Sequence, residues 1–348
     1  MFTADRWVGV AADAGIAMVN VTGMTPVHEV DLGRALHERA AVQALALVPK
    51  LAAVAPDLVV CDVLAQGGAM AADLLGLPWA QLSPHPLYEP SRGLPPLGSG
   101  LAVGVGAAGR LRDVVLRAAA ARSIRLGHRQ RARARLGIGL DASGPGPVAR
   151  LIATLPALEV PRPDWPDDAH VVGPLLWEPA RQALPLPPGG APLVMIAPST
   201  AVSGATGMAE LALTALRGTG LRAVVSTFGP APDGLPSWAR AGLGRQDEML
   251  REASVVVCGA GHGLLAKALL AGVPVVMVPG GGDQWEMANR VARQGSGVVV
   301  RPSTSDALRA AVTRVLGDPR FAAAAATAAA TARDVHDPVQ VCRTALVD

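Results

Sequence analysis

Aromatic side chains make up only 3% of this 348-residue sequence: six Trp, three Phe and one Tyr. Its cores have to be built from Val, Leu, Ile and Ala instead, and Ala, Gly and Arg are abundant. Cysteine is scarcer still. Cys61, Cys258 and Cys342 lie far apart and show no paired metal spacing. That excludes a disulfide scaffold, no metal site is visible, and an odd count fits a reducing compartment. Charged residues amount to 17% and the net charge is +3. So weak an excess excludes a general nucleic-acid binder, which carries a basic patch with interleaved aromatics. The opening MFTADRWVGVAADAG holds Asp5, Arg6 and Asp13 but no apolar h-region, so it does not read as a signal peptide. The most apolar stretch, Val255 to Val278, is broken by Gly-rich turns, His262, Lys267 and Pro274, and reads as a buried strand–helix–strand, not a membrane span. The expected location is cytoplasmic.

Half of the residues are apolar, enough for large cores, and the length favours two domains. The periodicity predicts helices at Asp5–Ala14, His28–Val54 and Gly67–Leu75, with strands at Ala17–Val21, Leu58–Cys61 and Trp79–Ser83. A Pro- and Gly-rich loop covers Pro84 to Gly106, where long loops are often binding loops. A helix rich in Arg follows from Arg110 to Leu136, then strands at Leu151–Thr154 and His170–Val172. The segment 179–192, with Leu-Pro-Leu-Pro-Pro-Gly-Gly at its centre, is a linker. After it the rhythm restarts, with strands at Leu193–Ala197, Leu221–Thr227, Ser254–Cys258, Val273–Val278 and Gly297–Val300. Helices are expected at Met208–Thr219, Gly263–Ala271, Gln284–Gln294, Asp306–Leu316 and Arg320–Arg333.

This β-α-β alternation predicts an α/β chain of two doubly wound, Rossmann-like domains facing a cleft. The first is residues 1–178 and the second 193–348, whose last helix is expected to pack back on the first. A doubly wound domain normally opens with a buried strand and a tight loop into its first helix. This chain opens on what looks like a later part, so the first domain is expected to be N-terminally incomplete.

The most informative segment runs from Val255 to Arg301. An apolar strand ends at Cys258, and Gly259, Ala260, Gly261, His262 and Gly263 turn into a helix. Small residues let a ligand approach the backbone, and the N–H groups and dipole of the helix start favour an anion such as a diphosphate. Gly280, Gly281 and Gly282 then open a loop into Asp283 and Gln284. A carboxylate and an amide there suit paired hydrogen bonds from sugar hydroxyls, although an Asp at a helix start is most often an N-cap.

In this order — Gly-rich turn, Ala-Leu-x-x-Gly-Val-Pro, apolar strand, Gly loop, Asp-Gln, Arg-Val-Ala — the segment resembles the donor signature of the GT-B-fold glycosyltransferases. Within them it is similar to the bacterial branch that glycosylates macrolides, glycopeptides and related lipophilic acceptors, and residues 84–100 look like an actinobacterial subgroup. The resemblance implies that Gly259, Gly261, His262 and Gly263 surround the donor diphosphate and that Asp283 and Gln284 hold the sugar. It implies that Ser199 and Thr200 lie near the phosphates or the acceptor and that Gln246 lies beside the nucleoside base. The donor would be a UDP- or dTDP-sugar and the acceptor hydrophobic, with no cofactor. Three positions depart from the pattern: Gly259 stands where a His is usual, Leu264 where Thr or Ser is usual, and Leu243 where a base-stacking aromatic is usual.

Inverting transfer needs a base to remove the acceptor's hydroxyl proton. The resemblance implies a His–Asp pair. Asp62 matches the Asp, with a strand-end turn carboxylate as the competing reading, and the His has no counterpart. His85 in the Pro-rich loop is the acceptor-side candidate, against ordinary loop packing, while His28, His37, His128, His170 and His336 read as surface residues. Lys267 also reads as a surface residue. The Arg110–Leu136 helix, with an apolar stripe at Leu111, Val115, Leu116 and Leu126, offers weak contact with an anionic membrane, against a solvated face as the plainer reading. The resulting expectation is a nucleotide-sugar-dependent glycosyltransferase acting with inversion on a hydroxyl of a hydrophobic acceptor. The alternative is a non-catalytic sugar-nucleotide-binding or partner protein that lost the base. A sugar-nucleotide epimerase would need a cluster of carboxylates that the sequence does not show. Oligomeric state is not legible.

Overall fold

The structure, a computed structural model, describes residues 1–3, 15–21, 31–178, 180–199, 206–227, 231 and 234–347. The helix expected at Asp5–Ala14, the site residue Thr200 and His28 lie outside the described residues.

The first domain contains β1 (Phe2–Thr3), β2 (Val19–Asn20), α1 (Leu32–Val54), β3 (Val59–Asp62), α2 (Gln66–Leu75), β4 (Trp79–Ser83), α3 (Gly106–Leu136), β5 (Ala149–Ile152) and β6 (Ala169–Val171). Asp31 caps α1 by accepting from Arg34 N at 2.9 Å. Gly76, at φ 65°, closes α2 in the left-handed region that a residue without Cβ enters at no steric cost. Strands β3-β4-β5-β6 form one parallel sheet, and β1 and β2 pair with each other in a separate parallel ribbon. A cavity of about 450 Å³ separates ribbon from sheet, lined by Phe2 and Val21 on one side and by Val59, Cys61 and Leu82 on the other. His37 corrects the surface reading: it is buried on α1, in the layer where α1 packs on α2 and α3.

The second domain contains β7 (Leu193–Ala197), α4 (Met208–Leu216), β8 (Arg222–Ser226), β9 (Ala239–Gly242), α5 (Gln246–Glu252), β10 (Ala253–Cys258), α6 (His262–Leu270), β11 (Val275–Met277), α7 (Gln284–Gln294), β12 (Gly297–Val299), α8 (Ser305–Gly317), α9 (Pro319–Ala330) and α10 (Pro338–Thr344). Its strands run in the order β9-β8-β7-β10-β11-β12, all parallel. The strand sequences are unbroken apolar runs because both faces are covered. Leu193, Met195, Val256, Cys258, Val275 and Met277 join the core under α6, α7 and α9. The residues between them, Val194, Ile196, Val255, Val257 and Val276, join the core under α4 and α8. That alternation is the period-two geometry of a strand. Helix α10 returns to the first domain, where Val341 and Cys342 pack with Leu151, Ala153 and Val172.

Candidate active site

In the second sheet the strand order reverses between β7 and β10, and in open α/β sheets ligands bind outside the carboxyl ends of the strands at that switch point. β7 leads into Ser199, and β10 leads into the turn Gly259-Ala260-Gly261. Gly259 has to be small, since a Cβ there would stand 3.0 Å from Ser199 Cβ. Ala260 is fully buried in the left-handed region at φ 63°, a conformation a non-glycine residue keeps only where its surroundings impose it. Gly261 is the N-cap of α6 and supplies no side-chain cap, and among the described residues no side chain accepts from the first N–H groups of the helix. Among the described residues, a Cβ built on Gly261 or Gly263 meets no atom within 4 Å, so space lies open beside these donors. Unclaimed N–H groups, the positive end of a helix dipole and free volume together suit a diphosphate.

Asp283 and Gln284 start α7 across this space. Asp283 stands at the N-cap position of α7, but its carboxylate makes no capping hydrogen bond, and its Oδ2 accepts from Tyr88 Oη at 2.9 Å. Tyr88 belongs to the Pro-rich loop of the first domain. Burial, then the Asp283 carboxylate, push its phenol well up, so it stays protonated and donates. Gln284 is buried and faces inward. Its Nε2 donates to Ser199 Oγ at 2.9 Å and its Oε1 accepts from Gly280 N at 2.8 Å. Gln284 therefore ties the Gly loop to the end of β7, and Asp283 is the side chain left facing the cleft.

Further bonds join the domains. His262 Nε2 lies 2.8 Å from Thr154 Oγ1, and the ring also bonds to the Pro84 carbonyl. Burial, then the neighbouring His85, hold its pKa down at about 4, so the ring is neutral. Its ring is thus spent on the first domain, and at this turn the backbone is left to meet an anion. Arg290 on α7 donates to the Leu158 carbonyl at 2.9 Å and pairs with Glu159 at 3.4 Å. Glu159 accepts from Leu87 N at 2.6 Å, which fixes the loop that presents His85 and Tyr88. Those two rings are stacked, with centroids 4.3 Å apart and planes 14° from parallel.

Gln246 opens α5 at the end of the crevice beside β8. Its Nε2 donates to Ser226 Oγ at 3.0 Å, and its Oε1 accepts from Lys267 Nζ at 3.0 Å. Lys267 corrects the surface reading, since its ammonium is largely covered and lies 2.6 Å from Glu178 just before the linker. Asp62 ends β3, and its Oδ1 accepts from Leu64 N at 2.8 Å, the strand-end turn that competed with a catalytic role. Among the described residues, no group of three or more His, Cys, Asp or Glu is placed to hold a metal, and no helix is long and apolar enough to cross a membrane. Sequence reasoning missed Tyr88, Thr154, Glu159, Glu178 and Arg290. Tyr88 carried a signal as the single tyrosine of the chain inside a loop already marked for binding, and Arg290 as the first residue of the Arg-Val-Ala in the donor signature.

Residues 232–346 match the family model of the erythromycin biosynthesis protein CIII-like C-terminal domain. Over 305 residues the chain is 29% identical to a 4'-demethylrebeccamycin synthase of Lentzea aerocolonigenes, covering 82% of the chain and 72% of that relative. The fold matches the solved glycosyltransferase of kitacinnamycin with a TM-score of 0.74 and 21% identity, over 99% of the chain and 88% of that structure. It also matches the spinosyn rhamnosyltransferase SpnG complexed with thymidine diphosphate, with a TM-score of 0.66 and 20% identity, over 96% of the chain and 88% of that structure. The chain therefore carries the GT-B fold and is a homologue of the macrolide and antibiotic glycosyltransferases, as the donor signature led us to expect.

Proposed function

We propose that this protein transfers a sugar from a nucleoside diphosphate sugar to a hydroxyl group of a hydrophobic small molecule, with inversion at the anomeric carbon. The observation that carries the reading is the uncapped start of α6 beside open space, facing the unspent carboxylate side of Asp283. The acceptor oxygen forms its bond to the anomeric carbon as the bond to the diphosphate oxygen breaks. The hydroxyl proton passes to a base, and the departing diphosphate takes its added charge onto the backbone N–H groups of α6. Asp283 accepts hydrogen bonds from the sugar, and Gln246 stands at the end of the crevice that suits the nucleoside base. A dTDP-sugar is favoured as donor, since the related SpnG was solved with thymidine diphosphate. The transferase needs no resident cofactor in this scheme. A cytoplasmic setting agrees with three free cysteines.

Calorimetric titration with dTDP and UDP tests the site. Gly261→Val places its side chain in open space at an ordinary extended φ of −66°, so it leaves the fold intact and fills the anion site. It is expected to weaken nucleotide binding at least about tenfold, the loss of one charge-assisted contact. Asp283→Ala is expected to leave dTDP affinity unchanged and to weaken the intact nucleotide sugar. Unchanged affinities in both variants would remove the donor-site assignment.

A further inference from the structure

Helix α3 is the longest described helix, and of its 31 residues only Asp113 and Arg135 are buried. It carries nine arginines against one carboxylate, Asp113, and Arg112 already holds that carboxylate. Arg135 is taken by Asp73, and Arg112 and Arg117 donate to the carbonyls of Ala102 and Leu94 in the Pro-rich loop. Arg122, Arg125, Arg129 and Arg133 are exposed, and among the described residues no carboxylate pairs with them.

A helix turns about 100° per residue, which puts Leu111, Val115, Ala118, Arg122, Arg125 and Arg129 on one outward stripe, opposite the buried Asp113. The stripe divides along its length. Its first half is apolar: Leu111 is 64% and Val115 58% exposed, Val114 beside them is exposed too, and Val105 just before the helix is 90% exposed. Its second half is basic, with Leu126 among the arginines. The apolar half lies at the cleft end. Arg112 and Arg117 tie it to the Pro-rich loop, and that loop is bonded to α7 where the Gly100 carbonyl accepts from Asn289 and where Tyr88 donates to Asp283.

The charge asks for an anionic partner, and the exposed Leu and Val side chains ask for one that also takes apolar groups. An anionic bilayer meets both demands over the whole length of a straight helix. Its phosphates accept from the guanidinium groups, the arginine stems lie along the acyl boundary, and the aliphatic side chains enter it. We propose that α3 is the surface by which this protein settles on an anionic phospholipid bilayer, with the end beside the cleft inserted and the arginine end on the headgroups. The proposal deepens the transferase reading and rests on it for its purpose: a hydrophobic acceptor collects in the bilayer, and α3 brings the cleft to it.

Co-sedimentation with phospholipid vesicles tests the surface with neither donor nor acceptor present, so its failure and that of the nucleotide titration are separate results. The protein is expected to bind phosphatidylcholine vesicles containing about 30% phosphatidylglycerol at least about tenfold more tightly than pure phosphatidylcholine, and to lose most of that preference in about 0.5 M salt. Substitutions at exposed positions separate the two halves, with Tm and dTDP affinity expected to stay at wild-type values. Arg122→Gln, Arg125→Gln and Arg129→Gln together are expected to weaken binding to the anionic vesicles about 100-fold, and Leu111→Ser with Val115→Ser at least about fivefold. No preference for the anionic vesicles would overturn the proposal, and so would an arginine variant that binds them as wild type does. If only the arginine variant loses binding, the face is a plain cationic surface of the kind an acidic protein covers, and the bilayer assignment is wrong.

Discussion

Tyr88 donates its phenolic hydrogen to Asp283 across the domain boundary at 2.9 Å, so the Pro-rich loop of the first domain is fastened to the start of α7 in the second. A carboxylate offers about four lone-pair positions, so accepting from Tyr88 leaves room for sugar hydroxyls. Hydrogen bonds to a charged group contribute about 1.5–3 kcal/mol. Tyr88→Phe keeps the ring that His85 stacks on and removes only this bond. We expect the KM for the nucleotide sugar to rise roughly tenfold, with dTDP binding by calorimetry unchanged. An equal loss for dTDP and for the nucleotide sugar would place Tyr88 in general domain packing instead.

Gly259 and Gly261, two residues apart, should behave oppositely. Gly259 has Ser199 Cβ 3.0 Å and Gln284 Oε1 3.5 Å from where its own Cβ would stand, whereas Gly261 has nothing within 4 Å. Gly259→Ala forces β7 and β10 ends apart and strains the Gln284 bridge to Ser199 and Gly280. It is expected to destabilise by about 1–3 kcal/mol, visible as a lower Tm. Gly261→Val is expected to leave the Tm without ligand unchanged and to weaken nucleotide binding at least about tenfold. Thermal unfolding of the two variants with and without dTDP separates the effects.

The second domain was readable in the sequence because its strands are buried on both faces. Continuous apolar runs such as Leu193–Ala197 can be little else, and the Gly turns between them mark the strand ends where ligands sit. β9 and α5 escaped notice, since Ala239–Gly242 is a short edge strand with little apolar signal and Gln246–Glu252 is a seven-residue helix. The first domain was less legible, because its apolar residues divide among several small clusters and its first two strands pair apart from the rest. The site split the same way. Positions such as Gly261 and Asp283 follow from local spacing, but Thr154, Glu159 and Tyr88 reach the cleft through contacts more than 70 residues away in sequence, as in the 108-residue separation of Thr154 and His262. No local pattern encodes such contacts. Gln284 shows a further limit: spacing marks the residue, but only the packing reveals that its amide is turned inward.

His262 makes the domain contact sensitive to acid. Its ring is held near a pKa of about 4, below the ordinary 6.5, chiefly by burial. The unfolded chain therefore binds a proton in this window that the folded chain refuses, and unfolding becomes easier as pH falls. The stability that depends on neutral His262 is complete above about pH 6.5 and is lost on descent towards pH 4, by at most about 1.4 kcal/mol per pH unit. His262→Asn retains an amide for Thr154 or Pro84 and cannot titrate. Its Tm is expected to fall less steeply between neutral pH and pH 5, and a parallel profile would show that other groups govern the acid limb.

The three thiols should differ in reactivity. Burial pushes Cys61 and Cys258 up to about 12, and Cys342, on α10, is raised by burial as well but is partly exposed. Thiolate is the reactive form, so native protein is expected to be labelled by a maleimide first at Cys342, with Cys61 and Cys258 modified only on unfolding. Mass spectrometry of digests after graded labelling reads the order directly.

The buried pair Arg135–Asp73 anchors the long helix α3 to the rest of the first domain. Arg135 Nη1 lies 2.6 Å from Asp73 Oδ2, both side chains are almost fully buried, and Asp73 Oδ1 also accepts from Trp79 Nε1 at 2.9 Å. Arg135 Nε donates to the Asp141 carbonyl at 2.7 Å, so the guanidinium is held on two sides. Few other residues of α3 are covered, which concentrates its attachment here. Asp73→Ala strands a buried cation and an indole N–H together and is expected to destabilise by about 3–5 kcal/mol. Replacing both partners by apolar residues of similar volume, Asp73→Leu with Arg135→Met, removes the uncompensated charge and should recover most of that loss. Urea denaturation of wild type, single and double variants gives the comparison. If the double variant is as unstable as Asp73→Ala, the loss lies in the bonds to Trp79 and Asp141 and not in the ion pair.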